Sequence, residues 1–146
     1  MCMRLVIQRV KKASVTAGNH RESIGNGLFI LFGAGKGDKK ESIPKLAQKV
    51  YKMRVMADED GKMNKAVGDI KGEFLVVSQF TLYADISGGN RPSFVNALEQ
   101  DKAQELYEFF VDELKKLGAE VKTGSFGNYM NLQVDLDGPV TILVEC

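Results

Sequence analysis

The first apolar pattern along the chain is a loose alternation in RLVIQRVKKASVT, rich in β-branched residues, which predicts a strand with a basic exposed edge at Arg9, Lys11 and Lys12. GNGLFILFGAG predicts a second strand, punctuated by glycine on both sides. From Ser42 the period changes. Ile43, Leu46, Val50 and Met53 recur every three to four residues and Pro44 falls in the first turn, so a helix runs to about Met53. RVMADEDGKMN reads as a short strand and an acidic turn, FLVVSQFTLYA as the strongest strand, and DISGGNRPSF as a loop. Ala103, Leu106, Tyr107, Phe110, Leu114 and Leu117 form one helical stripe, with Asp101 near its start and Gly118 just past its end. AEVKTG, NYMNLQVDL and PVTILVE predict three more strands, the last two separated at Asp137 and Gly138. The order is β-β-α-β-β-α-β-β-β, an α+β fold of one domain over residues 1–146, with two helices and mostly antiparallel pairing.

Within the strongest strand the polarity is unusual. Continued alternation puts Leu75, Val77, Gln79, Thr81 and Tyr83 on one face and Phe74, Val76, Ser78, Phe80 and Leu82 on the other, so each face carries polar groups among apolar ones. A buried hydroxyl or amide without a partner costs about 1 to 3 kcal/mol. The polar groups therefore either run out into solvent or meet a ligand or another chain at the strand's end.

Composition narrows the choice of chemistry. The 146 residues are 44% hydrophobic and 27% charged, and 20 basic against 19 acidic side chains leave a net charge of +1, so any nucleic-acid contact must come from a local patch. The apolar stretch before Gln8 and Arg9 is too short for a signal-peptide core, and no run approaches a membrane span, which predicts a cytoplasmic protein with no membrane contact. Cys2 and Cys146 are then expected as free thiols; with one histidine, His20, in a polar connection, neither a metal site nor a cofactor is expected.

Three familiar motifs fail on inspection. GAGKGD at 33–38 is not a phosphate loop, because Ile30 and Gly37 stand where a glycine and a hydroxyl residue are required; a strand-ending turn is expected. DEDGKMN lacks the closing glutamate of a calcium loop and reads as a solvated turn. A serine triad would have to use His20, and Thr81 has no sequence-evident base. The scarcity of acid-base side chains favours a site built from backbone N–H and C=O groups.

DLDGPVT at 135–141 places a Gly-Pro pair between two apolar strands, which alone reads as a rigid hairpin turn. Together, Ser78-Gln79-Phe80-Thr81-Leu82 and Asp137-Gly138-Pro139-Val140-Thr141 resemble the SQxxL and NxGPxT signatures of the D-aminoacyl-tRNA deacylases. VIQRVKKASVT, DEDGKMN, RPSF at 91–94 and TGSFGNYM at 123–130 extend the resemblance from Met3 to the C-terminus. The resemblance implies the deacylase fold, with a barrel-like sheet, in a homodimer that hydrolyses the ester of D-aminoacyl-tRNA as a translation proofreading step. Ser78, Gln79, Phe80 and Thr81 would form the catalytic wall around the 3′ end of tRNA. Gly138 and Pro139 of the partner chain would complete it and exclude L-amino acids, with Met130 and Phe126 as further substrate-binding residues. In the family the Gly-Pro bond is cis, and glycine fits the pocket as a D-residue does. Leu136 stands where the family has asparagine, so a bracing amide is missing; a deacylase of relaxed specificity for mischarged L-aminoacyl-tRNA is the nearest alternative. A different reading is a non-catalytic nucleic-acid-binding protein using Lys11, Lys12, Lys36, Lys39, Lys40 and Arg91 on phosphates.

Overall fold

The computed structural model describes residues 2–146. Its longest strand pair sets the architecture. β1 (Arg4–Ala17) is flanked on one side by β3 (Gly27–Gly33) along its first half and β2 (His20–Ile24) along its second, and on the other side by β8 (Asn131–Glu145) along almost its whole length. All three pairings are antiparallel. β6 (Glu73–Ser78) then adds to β3, and β7 (Glu120–Thr123) to β6, both in parallel. Parallel neighbours need a crossover, and the two helices supply it: α1 (Ile43–Lys52) lies between β3 and β6 in the chain, and α2 (Gln100–Lys116) between β6 and β7. β4 (Met56–Ala57) and β5 (Met63–Lys65) form a separate hairpin whose turn is folded around Asp58, which accepts the N–H groups of Asp60 and Lys62.

Two cores occupy the two faces of the sheet. Leu5, Ile7, Leu28, Ile30, Phe32, Phe74 and Val76 face the helices and pack on Ile43, Leu46, Val50, Leu106, Phe110 and Leu114. Val10, Ala13, Val15, Ile24, Phe29, Leu75 and Val77 form the second core on the other face. Residues facing the helices are odd-numbered in the first half of β1, whereas in its second half the odd-numbered Ala13 and Val15 face away from them. The irregular register opposite β8 lies between the two halves. The sheet curls until its ends meet, where His20 Nε2 lies 2.9 Å from the Thr123 carbonyl oxygen; because that oxygen only accepts, Nε2 carries the proton. The result is a mixed sheet nearly closed into a barrel, with two helices on one face.

Four expectations are corrected. His20 sits in a strand, β2, rather than in a connection; its segment HRESI buries only Ile24 fully and so has no apolar period to read. Met63–Lys65 is a strand, β5. NYMNLQVDL and PVTILVE are not a hairpin but one strand, β8, in which the five steps from Leu136 to Thr141 stand opposite the two from Val10 to Gln8. The strand at FLVV stops at Ser78, and Phe80–Tyr83 is a 3-10 turn, so the alternation of faces does not continue through Thr81 and Tyr83. Cys2 and Cys146 are free thiols near one another in sequence register, since β1 and β8 bring the chain ends together. Among the described residues no helix is long and apolar enough to cross a membrane.

Candidate active site

The polar end of β6 is explained by how the strand stops. Gln79 N–H makes the last bond toward β3, to the Phe32 carbonyl at 2.8 Å, and the chain then turns, with Leu82 N–H reaching the Gln79 carbonyl at 3.4 Å and Ala84 N–H the Thr81 carbonyl at 3.0 Å. The N–H groups of Phe80 and Thr81 precede the first bond of this turn and have no acceptor inside it. Two glycines make room for it. A Cβ on Gly33 would lie 3.0 Å from the Gln79 carbonyl oxygen and 3.1 Å from Leu82 Cβ, and one on Gly35 only 2.4 Å from the Tyr83 ring. GAG at 33–35 is therefore a seat for the turn as well as the end of β3.

Beside the turn lies a cavity of about 690 Å³. Ser78, Gln79 and Phe80 form one wall, Phe126 and Met130 another, and the start of α2 at Gln100 and Ala103 a third. Phe94 stands edge-on to Phe80 with ring centroids 4.9 Å apart, and Phe126 packs 5.8 Å from Tyr107. Tyr107 is itself fixed, since its hydroxyl donates to the Val76 carbonyl at 2.6 Å and burial raises its pKa, which keeps the phenol protonated. Met130 is held by the Ser125 N–H, 3.3 Å from its sulfur. Phe80 remains 54% exposed and Tyr129, at the rim, 95% exposed, so aromatic faces are open to a planar ligand. Of the lining residues only Glu99 and Tyr129 titrate, and Glu99 is paired with Lys102 at 3.0 Å. Among the described residues no three His, Cys, Asp or Glu side chains converge on a metal position.

The cavity thus gathers Ser78, Gln79, Phe80, Phe126 and Met130. It does not include Thr81, whose exposed hydroxyl accepts a hydrogen bond from the Gln79 side-chain amide. Phe94 and the start of α2 were not singled out in the sequence, although Phe94 closes the RPSF stretch that contributes to the resemblance.

Gly138 and Pro139 lie elsewhere. They form the outward bulge of β8, where the Gly138-Pro139 bond is cis and Gly138 has φ 141°, a conformation that glycine adopts readily and other residues rarely. Arg9 holds the bulge from β1: its Nε donates to the Asp137 carbonyl at 3.0 Å and lies 3.4 Å from Asp137 Oδ2, while Nη1 donates to the Val55 carbonyl at 2.9 Å. Its side chain is only 12% exposed, which corrects the reading of Arg9 as part of an exposed basic edge; Lys11 and Lys12 are exposed as expected. Leu136 points partly into solvent at 42% exposure, and the neighbouring Asp137 carbonyl is held by Arg9. By register, the Gly-Pro bulge lies near the level of Leu28 and Phe74, four residues along β6 from Ser78 and three strands away. That separation is on the order of 20 Å over the sheet, so a chain's own bulge does not reach its own cavity.

Comparison with known proteins agrees with this architecture. The family model of D-Tyr-tRNA(Tyr) deacylase matches residues 6–145. A D-aminoacyl-tRNA deacylase of Aquifex aeolicus is 51% identical over 144 residues, covering 98% of this chain and 97% of its own. A solved structure titled c-Myc DNA Unwinding Element Binding Protein superposes with TM-score 0.90 at 38% identity, over 98% of both chains. A probable eukaryotic D-amino acid tRNA deacylase superposes with TM-score 0.88 at 14% identity over the full length of both, which speaks to the fold.

Proposed function

The chain belongs to the D-Tyr-tRNA(Tyr) deacylase family, hydrolases of the ester in aminoacyl-tRNA, and on that basis we propose that it removes D-amino acids from tRNA as a cytoplasmic proofreading enzyme. The observation that carries the reading is the cavity itself: aromatic walls, a turn with two unengaged N–H groups at its edge, and almost no titrating side chain. The terminal adenine stacks against the exposed aromatic rings. The aminoacyl carbonyl turns its oxygen toward the N–H groups of Phe80 and Thr81, which stabilise the negative charge that grows there as water attacks. The bond from the carbonyl carbon to the ribose oxygen breaks, and the proton from water ends on that oxygen. Free D-amino acid and tRNA leave. The substrate's own 2′-OH assists in place of a protein base, and the Thr81 hydroxyl has no chemical role.

Selectivity comes from a second copy of the chain. In the homodimer, Gly138 and Pro139 of one protomer enter the cavity of the other, where their carbonyls hold the substrate's amino group. An L-side chain then collides with the Gly-Pro bulge, whereas a D-residue or glycine does not, so mischarged Gly-tRNA is cleaved as well. The separation of bulge and cavity within one chain supports this arrangement.

A nucleic-acid-binding reading draws on the relative named for DNA binding and on exposed Lys11, Lys12, Lys36, Lys39, Lys40 and Arg91. One assay separates the two: D-Tyr-tRNA, L-Tyr-tRNA and Gly-tRNA are followed side by side at substoichiometric enzyme. Multiple-turnover loss of the D-ester with the L-ester intact is expected. Loss of both enantiomers would replace the proposal with a relaxed-specificity deacylase, and salt-sensitive binding without turnover would leave a binding protein.

A further inference from the structure

None of Arg4, Asp38 and Tyr83 lines the cavity, yet all three converge on the turn that does. Tyr83 is the buried last residue of that turn, its ring laid against the bare Cα of Gly35. Its hydroxyl donates to the Cys2 carbonyl and lies 3.4 Å from Asp38 Oδ2, which also accepts the Gly35 N–H at 2.6 Å. The Arg4 guanidinium carbon stands 4.6 Å from the centre of the Tyr83 ring, and Nη1 donates to the Leu82 carbonyl at 3.0 Å. Arg4 Nε is paired with Glu145 at 3.3 Å. Burial raises both the Asp38 carboxyl and the Tyr83 phenol, so the phenol keeps its proton and remains a donor.

Consecutive residues of a four-residue turn are thus tied to the start of β1 and to the loop that follows β3, and Arg4 is itself tied to the end of β8. Packing alone asks only for an apolar ring at Tyr83; it does not ask for a guanidinium on the Leu82 carbonyl. Ties on the Leu82 carbonyl and the Tyr83 ring anchor the last peptide unit of the turn, and the Leu82 N–H bond to the Gln79 carbonyl couples it to the units two and three earlier that carry the Thr81 and Phe80 N–H groups.

We propose that Arg4 and Tyr83 are positioning residues for hydrolysis, a bracket that fixes the direction of the Phe80 and Thr81 N–H groups relative to the scissile carbonyl. The inference rests on the reading of this turn as the one that meets the ester. Its effect is on the transition state rather than on capture of tRNA, so it acts on kcat and not on KM.

The test uses Tyr83→Phe, which keeps the ring and loses the hydroxyl, Arg4→Met, which keeps the length and loses the donor, and Arg4→Lys, which restores a donor. Deacylation of D-Tyr-tRNA is measured beside amide hydrogen exchange over residues 79–84. The expected result is a loss of about tenfold in kcat for Tyr83→Phe and Arg4→Met, KM within about twofold, faster exchange confined to that segment, and recovery of most of the rate in Arg4→Lys. An unchanged kcat in both variants, or a raised KM with kcat intact, would overturn the bracket. If Arg4→Met does not fold, Tyr83→Phe decides. If the wild type cleaves no D-ester, the proposed function fails and the positioning role in hydrolysis fails with it; faster exchange at 79–84 in the variants would then show only that Arg4 and Tyr83 stiffen the turn.

Discussion

Two segments of this chain carry the resemblance to deacylases, and they are built in opposite ways. The turn at Gln79–Tyr83 sits where a central strand of the sheet ends, seated on Gly33 and Gly35 and tied from behind at Leu82 and Tyr83. The Gly138-Pro139 bulge stands on β8, which pairs with β1 alone, and both of its residues are exposed. Each is held through a backbone carbonyl by an arginine of the same strand: Arg4 reaches Leu82, and Arg9 reaches Asp137. One strand therefore orients both a cavity wall and a protruding bulge that the sheet keeps apart. A wall of this kind suits the chemistry, and a projecting bulge suits insertion into another molecule.

The two arginines give the largest contrast. Arg9→Ala removes two hydrogen bonds from a charged donor and the ion pair with Asp137, a loss of about 2 to 4 kcal/mol. The expected outcome is a fall of roughly 10- to 100-fold in the ratio of D-Tyr-tRNA to L-Tyr-tRNA hydrolysis, with D-ester cleavage retained. Arg4→Met is expected to do the reverse, lowering the rate and leaving the ratio unchanged; equal loss of ratio in both variants would collapse the distinction.

A smaller effect is expected from the seat. In Gly35→Ala the new methyl group would stand 2.4 Å from the Tyr83 ring, and overpacking of this kind costs about 1 to 3 kcal/mol. Urea unfolding should register that loss together with a reduced kcat, while the D/L ratio stays where it was. Smaller still is Thr81→Ala, since the hydroxyl lies outside the cavity and merely accepts from Gln79. Single-turnover hydrolysis should survive within about tenfold, and its abolition would bring back a threonine nucleophile.

The least effect concerns Asp38, whose carboxyl burial raises above the ordinary aspartate value. The folded state then holds its proton more tightly than the unfolded state, so this group's contribution to stability declines as pH rises from the unfolded pKa through the folded one. Asp58, Glu59 and Asp85, held low by hydrogen bonds, pull the opposite way as pH falls through their own range. The difference between wild type and Asp38→Asn isolates the first effect: the variant should gain on the wild type as pH climbs above the usual aspartate range, read from urea midpoints. A constant difference across that window would contradict it.

Much of this was legible in the chain. The helices were, because Ile43, Leu46 and Val50, and Leu106, Phe110 and Leu114, keep a helical period that only burial on one face explains. β2 was not, because HRESI is held by pairing with β1 rather than by an apolar face. The turn after Ser78 was hidden because Phe80 and Leu82 prolong the apolar alternation, while the cause of the turn lies in Gly33 and Gly35, more than forty positions earlier. β8 read as two strands because proline in a strand interior argues for a break, yet an edge strand tolerates it at a bulge. Arg9 looked like surface because its partners, the carbonyls of Asp137 and Val55, are backbone groups that no sequence pattern marks. The five cavity residues named from the resemblance, Ser78, Gln79, Phe80, Phe126 and Met130, are brought together by strand endings, which is what spacing alone could not say.

The central claim is that one site is made by two chains, and mixing two complementary variants tests it most directly. Ala103→Trp fills the cavity and leaves the bulge intact; Gly138→Ala with Pro139→Ala alters the bulge and leaves the cavity intact. Alone, the first is expected to be inactive and the second to cleave D-Tyr-tRNA and L-Tyr-tRNA alike; the two are then unfolded and refolded together. In a statistical mixture about half of the intact cavities face an intact bulge across a mixed dimer, so L-Tyr-tRNA hydrolysis per intact cavity should fall to about half while D-Tyr-tRNA hydrolysis per intact cavity holds. If L-ester hydrolysis per intact cavity stays unchanged although mixed dimers form, the bulge serves its own chain or none, and the account of selectivity is wrong.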